Sequence, residues 1–435
     1  MHALLDWPIY QDIFSASGMR AVFSQAATVA RWIEVETAIA AAQADLGLIP
    51  TAAAAAIAAA ADPKSIDIDR LAADMMLAGR PIIGLCTQLR ERVGPEHEDW
   101  VHWGATTQDV MDTATVLQMR DGIGQVQTRI DGLVARLSVL AAEHQHTPII
   151  GRTNQQHAQP LSLGLKLSVW VEELGRRRRA LDESASRGLM LQFGGAVGSL
   201  AAFGVDGPRL RQKIGERLDL PVRETHWQNA RDGVADILSA LGILCATIEK
   251  IAHEVNALAG TDIAELSEGH APGRGASSAM THKRNQRGSE FAEAVARLGR
   301  QRAAVAPELM RHEHERSGGV WIAEWVTVPE VFLYTSSALH WAQAVFDGVE
   351  VNTDAMARNV AATRGLVFSE TVTLALAAKV GRGEAKRLVA KACDSVRAEK
   401  LTLEEALASD PAVTRSVSED EIAGFFDLTS HLGSR

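Results

Sequence analysis

The feature that most limits the possible fold is a set of long segments in which apolar residues recur at helical spacing. Within 112–147 the apolar stripe consists of Leu117, Met119, Ile123, Val126, Ile130, Leu133 and Leu137. Further helices are predicted over 21–46, 159–184, 232–265 and 289–311. Helices of this length bury their apolar faces in a bundle, which is often assembled between subunits. The chain is therefore predicted to be all-α, although 320–328 fits a strand as well as a helix.

Breaks in the helical pattern predict three regions. Gly94 and Pro95 interrupt a helical run and are followed by the polar residues 96–99. After Asn352 the predicted helices become shorter, over 369–380, 383–399 and 402–408. We therefore predict an N-terminal helical domain (1–98), a central long-helix bundle domain that carries the loop described below (99–352), and a small C-terminal helical domain (353–435).

Charge and composition argue against several classes of partner. The 435 residues carry a formal net charge of -10, so a nucleic-acid-binding surface is not expected. The basic run at 176–179 is interpreted as a solvated face or a subunit contact. The sequence lacks an uninterrupted run of about 18 apolar residues, so we expect no membrane span and a cytoplasmic location. Cys86, Cys245 and Cys393 are far apart and are predicted to be small core residues.

Four polar clusters interrupt the helices. They are His-Trp-Gly-Ala-Thr-Thr-Gln-Asp at 102–109, Arg-Thr-Asn-Gln-Gln-His at 152–157, the glycine-rich segment 273–285, and His-Glu-His-Glu-Arg-Ser-Gly-Gly at 312–319. The 273–285 segment contains adjacent serines, a histidine, cations and an amide among small residues that let a loop close over a ligand. Hydroxyl, amide and imidazole groups near helix starts suit a bound carboxylate. Each cluster taken alone also fits a connecting loop or a helix cap.

Together and in this order, the four clusters resemble the aspartase/fumarase superfamily. The 273–285 loop is similar to its signature Gly-Ser-Ser-x-Met-Pro-x-Lys-x-Asn, 102–109 to its Gly-x-Thr-Ser-x-Asp region, and 152–157 to its Arg-Thr-His-Gly-Gln-His-Ala region. Within the superfamily, the segments 102–113, 191–198 and 312–325 most resemble the bacterial 3-carboxy-cis,cis-muconate cycloisomerase branch. The resemblance implies a bundle that forms the multi-helix core of a homotetramer, with active sites shared between three subunits.

The resemblance also implies roles for individual residues. Ser277 would act as the base that handles a proton on carbon, with Ser278 as the neighbouring alternative and His157 as the group for a second proton. Substrate-binding roles fall to Arg20, His102, Thr106, Thr107, Gln156, Lys283, Asn285 and Arg316. The pair Arg231-Asp232 is interpreted as a surface ion pair and is left out. No cofactor is expected, and no metal, because His312 and His314 lack a usual ligand spacing.

Departures from the family pattern keep several reactions open. Thr281 and Gln286 stand where prolines are usual, and Ala276 replaces a glycine. Asn154 stands where adenylosuccinate lyases have a histidine that resembles a general acid, so a purine-nucleotide lyase is not expected. The leading hypothesis is lactonisation of 3-carboxymuconate. The alternatives are a C–N lyase or epimerase of an N-substituted aspartate such as iminodisuccinate, acting through fumarate, and a non-catalytic homotetramer.

Overall fold

The computed structural model describes residues 7–269, 271–399 and 401–432. In chain order the α-helices are α1 Gln11–Phe14, α2 Ser17–Val22, α3 Gln25–Asp45, α4 Thr51–Ala60, α5 Ile68–Ala78, α6 Pro81–Val93, α7 Thr107–Glu143, α8 Leu163–Gly188, α9 Gly207–Leu218, α10 Asp232–Leu258, α11 Arg287–Ala303, α12 Gly318–Asp347, α13 Thr353–Ala361, α14 Ser369–Val380, α15 Arg382–Glu399, α16 Leu403–Ala408, α17 Pro411–Thr414 and α18 Glu419–Gly424. Short 3-10 turns cover Pro63–Ser65, Glu98–Trp100, Ala201–Asp206, Glu308–Met310, Leu366–Phe368 and Leu428–His431. The all-α prediction is confirmed.

Two small two-stranded antiparallel sheets, of which the first is a hairpin, complete the secondary structure of the described residues. Strand β1 (Pro148–Thr153) pairs with β2 (Gln156–Ser162), and β3 (Leu266–Glu268) pairs with β4 (Val349–Val351). The first hairpin contradicts the prediction that a helix begins near residue 159. Pro160 lies in β2 opposite Ile150, and α8 begins only at Leu163.

Helix boundaries follow local capping chemistry that apolar periodicity does not record. The helix predicted over 21–46 is present from Gln25 to Asp45, but its predicted start is wrong. The preceding helix ends at Val22, and the chain restarts with Ser24, whose hydroxyl caps α3 by accepting from the N–H of Ala27 at 3.2 Å. The stripe predicted within 112–147 is buried in α7, from Leu117 to Leu137. The ambiguous segment 320–328 is helical and lies in α12.

The chain divides into two compact units. Unit 1 comprises Met1–Asp131, Arg176–Glu249 and Phe291–His340, and unit 2 comprises Gly132–Gly175, Lys250–Glu290 and Trp341–Arg435. Helices α7, α8, α10, α11 and α12 have residues in both units. The division at residues 98 and 352 made from the sequence remains a prediction.

Each unit has its own apolar core. In unit 1 the largest fully buried side chains include Trp321, Phe193, Phe332 and Met19. In unit 2 the helices after residue 352 close around Val372, Leu376 and Leu388, with Leu407 also inaccessible. Of the cysteines, Cys86 and Cys245 are buried and Cys393 is half-buried.

Within the residues that the structure describes, no single helix has both the length and the hydropathy of a membrane span. The pair Thr353–Ala361 and Leu366–Val380 meets the criteria only when the two are joined across a bend of 78°.

Candidate active site

Unit 1 brings the first and fourth polar clusters together through Arg316. Its Nε donates to Oε1 of Gln108 at 2.8 Å, and its Nη2 donates to the hydroxyl of Thr106 at 3.3 Å and to the carbonyl of Ala196 at 3.0 Å. The Thr106 hydroxyl therefore accepts from a guanidinium and does not cap α7, which begins at Thr107. A cation and two neighbouring hydroxyl groups at a helix N-terminus can bind a carboxylate.

Arg316 is connected through Gln108 to a buried ionic network. The amide nitrogen of Gln108 donates to Oδ2 of Asp112 at 2.9 Å, and that carboxylate also accepts from Nη1 of Arg231 at 2.6 Å. On its other side Arg231 donates to both carboxylate oxygens of Glu324, from Nε at 2.9 Å and from Nη2. Because Arg231 is only 3% exposed, its interpretation as half of a surface ion pair is wrong.

The carboxylate of Asp109 holds the loop that contains residues 194–196. It accepts from the backbone N–H groups of Gly194 and Gly195 at 2.8 and 2.9 Å, from the N–H of Thr106 at 3.1 Å, and from the amide of Gln192 at 3.1 Å. Burial raises the pKa of Asp109 to about 6, against these four donors, which favour the charged form. These hydrogen bonds to Asp109 fix the loop whose Ala196 carbonyl accepts from Arg316.

Two other residues assigned to the site in unit 1 have different surroundings. Nδ1 of His102 lies 2.6 Å from a carboxylate oxygen of Glu36. Arg20 donates from Nη1 to the carbonyl of Gln11 and to Ser15, and its Nη2 pairs with Asp12 at 2.6 Å. Arg20 thus fastens the segment before α2, and its hydrogen-bond partners among the described residues are all local.

Unit 2 presents the second cluster on a hairpin. Asn154 and Gln155 are the two central residues between β1 and β2, with φ of 49° and 62°. A two-residue hairpin turn with positive φ at both positions favours asparagine, which accounts structurally for Asn154. The turn is followed by Gln156 and His157, whose side chains are exposed.

An open cavity of about 850 Å³ adjoins this hairpin within unit 2. Its walls include the imidazole of His157 and the cationic side chains of Arg152 and Lys166. Arg152 is neutralised by the buried Glu265, to which it donates two hydrogen bonds of 2.8 and 2.9 Å. The cavity has the size and the polar groups of a small-molecule site.

The 273–285 loop folds back on itself. The backbone and side-chain amides of Asn285 both donate to the carbonyl of Gly275, at 2.9 and 3.0 Å. Gly275 has φ of 67°, and an added Cβ would lie 2.2 Å from the Asn285 carbonyl oxygen, so only glycine fits there. The Ser277 hydroxyl accepts from the N–H of Met280 at 3.1 Å, while Ser278 and Lys283 are exposed.

The base of the loop is anchored by Glu268 and by one of the departures from the family pattern. The carboxylate of Glu268 accepts from the N–H groups of Gly288 and Ser289 at the start of α11, at 3.0 and 2.7 Å. The side-chain oxygen of Gln286 accepts from the N–H of Glu268 at 2.7 Å. A proline could not make this contact, so Gln286 replaces backbone stiffness with a specific hydrogen bond.

A second cavity, in unit 1, is chemically unsuited to a polycarboxylate. It measures about 310 Å³, and the tryptophans Trp32, Trp321 and Trp325 form much of its wall. Its charged lining residues are Asp112 and Glu324, so an anion there would meet carboxylates. We therefore place the candidate site at the polar clusters.

The assigned residues fall into two groups according to the unit that contains them. Unit 1 holds Arg20, His102, Thr106, Thr107 and Arg316, and unit 2 holds Gln156, His157, Ser277, Ser278, Lys283 and Asn285. Sequence reasoning missed Gln108, Asp112, Arg231 and Glu324. The available signal was that Asp112 and Glu324 fall among the buried positions of long helices, where an unpaired carboxylate is not tolerated.

Comparison with known proteins places the chain among lyases. A family model described as Lyase matches residues 13–298, and one described as Adenylosuccinate lyase C-terminus matches residues 365–435. A 3-carboxy-cis,cis-muconate cycloisomerase of Bradyrhizobium diazoefficiens is 37% identical over 430 residues, which cover 98% of this chain and 95% of that protein.

Solved structures give the same result. The crystal structure of 3-carboxy-cis,cis-muconate lactonizing enzyme from Pseudomonas putida matches with a TM-score of 0.90 and 36% identity, over 98% of this chain and 96% of that one. The crystal structure of fumarate lyase from Mesorhizobium sp. BNC1 also matches with a TM-score of 0.90 and 36% identity, over 97% and 96% of the two chains.

Proposed function

The chain belongs to the aspartase/fumarase superfamily of lyases and cycloisomerases, and from this premise we propose that it lactonises 3-carboxy-cis,cis-muconate. The observation that carries the proposal is that the chain matches a cycloisomerase and a lactonizing enzyme along nearly its whole length, including the polar clusters. The cationic and hydroxyl groups of these clusters suit a substrate with three carboxylates.

The proposed reaction is an intramolecular addition. A substrate carboxylate oxygen forms a bond to one carbon of a double bond, and the π electron pair moves to the adjacent carbon, beside another carboxylate. This carbanion is held as an aci-carboxylate until its carbon takes a proton, so the net change is an isomerisation. The enzyme must place donors where the second negative charge develops.

In this scheme one set of side chains transfers the proton and another binds the carboxylates of the substrate. Ser277, or Ser278 beside it, donates the proton to the carbanion carbon. In the reverse direction the same serine is the base that removes this proton. A serine alkoxide requires nearby cations and exclusion of water, and Lys283 lies on the same loop. Arg316 and the Thr106 hydroxyl bind substrate carboxylate oxygens, since they already form one hydrogen-bonded group.

The same roles extend to the other assigned residues. Thr107 and Gln156 would bind further carboxylate oxygens, and His157 would orient the substrate or handle a second proton. Asn285 would shape the loop and donate to a carboxylate after the loop closes. Arg20 is the weakest of these assignments, because its guanidinium is occupied by residues 11–15.

We further propose that the two groups meet in a homotetramer, with each active site shared between subunits. Several long helices expose large apolar side chains that a second copy of the chain would cover. Ile243 on α10, Leu298 on α11, and Ile322 and Val326 on α12 are 37–51% exposed. Burying such residues between copies stabilises an assembly by roughly 25 cal/mol per Å² of apolar surface.

One alternative reaction has support from a specific observation. The matched structure from Mesorhizobium is named a fumarate lyase, and it resembles this chain as well as the lactonizing enzyme does. A C–N lyase or epimerase of an N-substituted aspartate, acting through fumarate, would use the same carbanion and the same anion-binding groups.

We retain the cytoplasmic location as a prediction.

An ultraviolet assay with two substrates in parallel tests the proposal. Purified protein is mixed with 3-carboxy-cis,cis-muconate, whose conjugated absorbance falls on lactonisation, and separately with iminodisuccinate, from which fumarate is released. We expect turnover of the muconate. Fumarate formation without muconate turnover would show that the alternative C–N lyase or epimerase reaction is the correct one. Inactivity on both substrates would refute the proposed substrates.

A further inference from the structure

A buried carboxylate lies next to the imidazole of His102. Glu36 lies on α3 and is 3% exposed, and its Oε1 is 2.6 Å from Nδ1 of His102. The side chain of His102 is itself only 17% exposed. The other polar neighbour of the ring is the Cys86 thiol. No hydrogen bond from Nε2 to a described residue is found beside the Nδ1 contact, so Nε2 is the nitrogen available to a ligand.

The backbone holds the ring in this position. His102 has φ of 62°, in the left-handed region that a residue with a side chain seldom adopts. The carbonyl of the next residue, Trp103, accepts from the side-chain amide of Gln43 on α3 at 2.7 Å. The backbone conformation and the contact with Gln43 thus fix the loop that carries the ring.

The other titratable groups near the ring come from α6. The thiol of Cys86 lies 3.6 Å from the same Glu36 oxygen, and Arg90 donates to the carbonyl of Val101 at 3.2 Å. Burial, followed by the Glu36 charge, raises the pKa of Cys86 to about 11, so the thiol stays protonated near neutral pH. Glu36 therefore supplies the nearby negative charge, and Arg90 the opposing positive one.

We propose that Glu36 is a positioning residue that holds His102 as an imidazolium, with Nε2 directed at a carboxylate of the substrate. The proposal rests on the proposed function for the identity of the anion. It adds a residue that the family resemblance did not assign, and it makes His102 a source of fixed positive charge rather than of a neutral hydrogen bond. A charge-assisted bond to a carboxylate is roughly twice as strong as a neutral one.

The geometry favours this dyad over a metal site, although Glu36, Cys86 and His102 place one ligand atom each within 4.8 Å of one another. Two ligands of one zinc ion at bond lengths near 2.0 Å lie about 3.3 Å apart in tetrahedral geometry. The 2.6 Å separation of Nδ1 and Oε1 is instead that of a charge-assisted hydrogen bond.

The electrostatic consequence has a definite sign. Burial has the largest single effect and lowers the pKa of His102, but the charge of Glu36 and the hydrogen bonds to Cys86 and Glu36 together outweigh it, so the pKa lies well above the ordinary 6.5. With Glu36 neutralised, burial is opposed only by the contact with the protonated Cys86 thiol, and the pKa should fall below 6.5. The positive charge present in the wild type at pH 7–8 should therefore be absent from Glu36→Gln.

Nuclear magnetic resonance of protein labelled at histidine Cε1 tests the holding role without any substrate. The His102 signal is assigned with His102→Asn and followed against pH. In the wild type and in Glu34→Gln, an exposed control on the same helix, we expect it to remain protonated through pH 8. In Glu36→Gln it should titrate below 6.5, and Glu36→Asp should restore much of the wild-type behaviour.

Two further readouts test the role toward a substrate. Citrate, a polycarboxylate probe, should shift the His102 signal of the wild type at pH 7.5 and shift it far less in Glu36→Gln. If muconate is turned over, kcat/KM of Glu36→Gln should fall at least about tenfold more than that of the wild type between pH 6 and 8, because one charge-assisted bond is lost.

Each result either supports or overturns the proposal. A His102 that titrates near 6.5 in the wild type, or that titrates unchanged in Glu36→Gln, overturns the holding role. A signal that ignores citrate overturns the substrate-facing role. Absence of turnover on both assay substrates counts against the proposed function alone, since the resonance and citrate experiments need no turnover.

Discussion

Removing the cation from the buried network around Arg231 should destabilise the protein in a pH-dependent way. Arg231 donates two hydrogen bonds to Asp112, at 2.6 and 3.1 Å, and two more to Glu324. The side chains of all three residues are at most 5% exposed. In Arg231→Met, two carboxylates would be left buried with no cation between them.

The expected magnitude follows from the burial. Breaking a buried ion pair by removing one partner costs about 3–5 kcal/mol in free energy of unfolding, because the remaining charge has no compensation. Burial already raises the pKa of Glu324 in the wild type, despite the opposing effect of Arg231. Without the cation, the pKa of Glu324 in the folded variant rises further above the ordinary pKa of 4.5 that this group has in the unfolded chain. Between these two pKa values, the folded variant binds a proton that the unfolded chain has already released. The stability of the variant should therefore fall as pH rises above about 4.5, by up to about 1.4 kcal/mol per pH unit for each proton.

Urea unfolding at one protein concentration, followed by circular dichroism at pH 5 and pH 8, measures this effect. Arg187→Met is the matched control, since Arg187 is 58% exposed and pairs with Asp236 at the surface, so its loss should cost less than about 1 kcal/mol. Adding Glu324→Gln to Arg231→Met should recover part of the stability at pH 8. Equal losses in the two arginine variants, or a loss in Arg231→Met that is independent of pH, would refute the reasoning.

Three further substitutions test the site itself. Ser277→Ala should abolish turnover while light scattering shows an unchanged assembly, and wild-type turnover would remove Ser277 from the mechanism. Gly275→Ala should lower turnover at least about tenfold, because its Cβ would lie 2.2 Å from the Asn285 carbonyl oxygen and a few kcal/mol of strain must be relieved by moving the loop. Gly273→Ala, where φ is also positive but no atom lies within 4 Å, should have a smaller effect, and equal effects would exclude the steric argument. Arg316→Lys should raise KM about 10- to 100-fold, since one ammonium cannot reproduce the guanidinium contacts, and an unchanged KM would contradict its role.

Periodicity predicted the fold well because long helices with continuous apolar faces leave few alternatives. The stripe from Leu117 to Leu137 is buried as expected. The errors occurred where local chemistry decides the structure. Ser24 caps a new helix three residues after the start of a predicted one, and the positive φ values of Asn154 and Gln155 create a hairpin ahead of α8. Neither feature changes the apolar period on which the prediction rested.

The sequence indicated candidate site residues, but it did not indicate the contacts that support them. Thr106 and Arg316 are far apart in the chain, and the hydrogen bond that joins them was not predicted from the sequence. Arg231, in contrast, was misassigned, because a sequence does not show that the carboxylates of Asp112 and Glu324 converge on it from two other helices. Supporting contacts of this kind depend on three-dimensional packing, and short motifs do not record them.

Mixing two inactive variants tests whether each active site combines the two groups of residues from different subunits. Ser277→Ala removes the base in unit 2, and Arg316→Met removes the anion ligand in unit 1. The variants are dissociated together and reassembled, and muconate turnover is compared with that of each variant treated alone. If the two groups come from different chains, random assembly should give both native groups at about a quarter of the sites, with activity near a quarter of the wild type. Activity no higher than that of the separate variants, in reassembled protein of unchanged size, would contradict the claim.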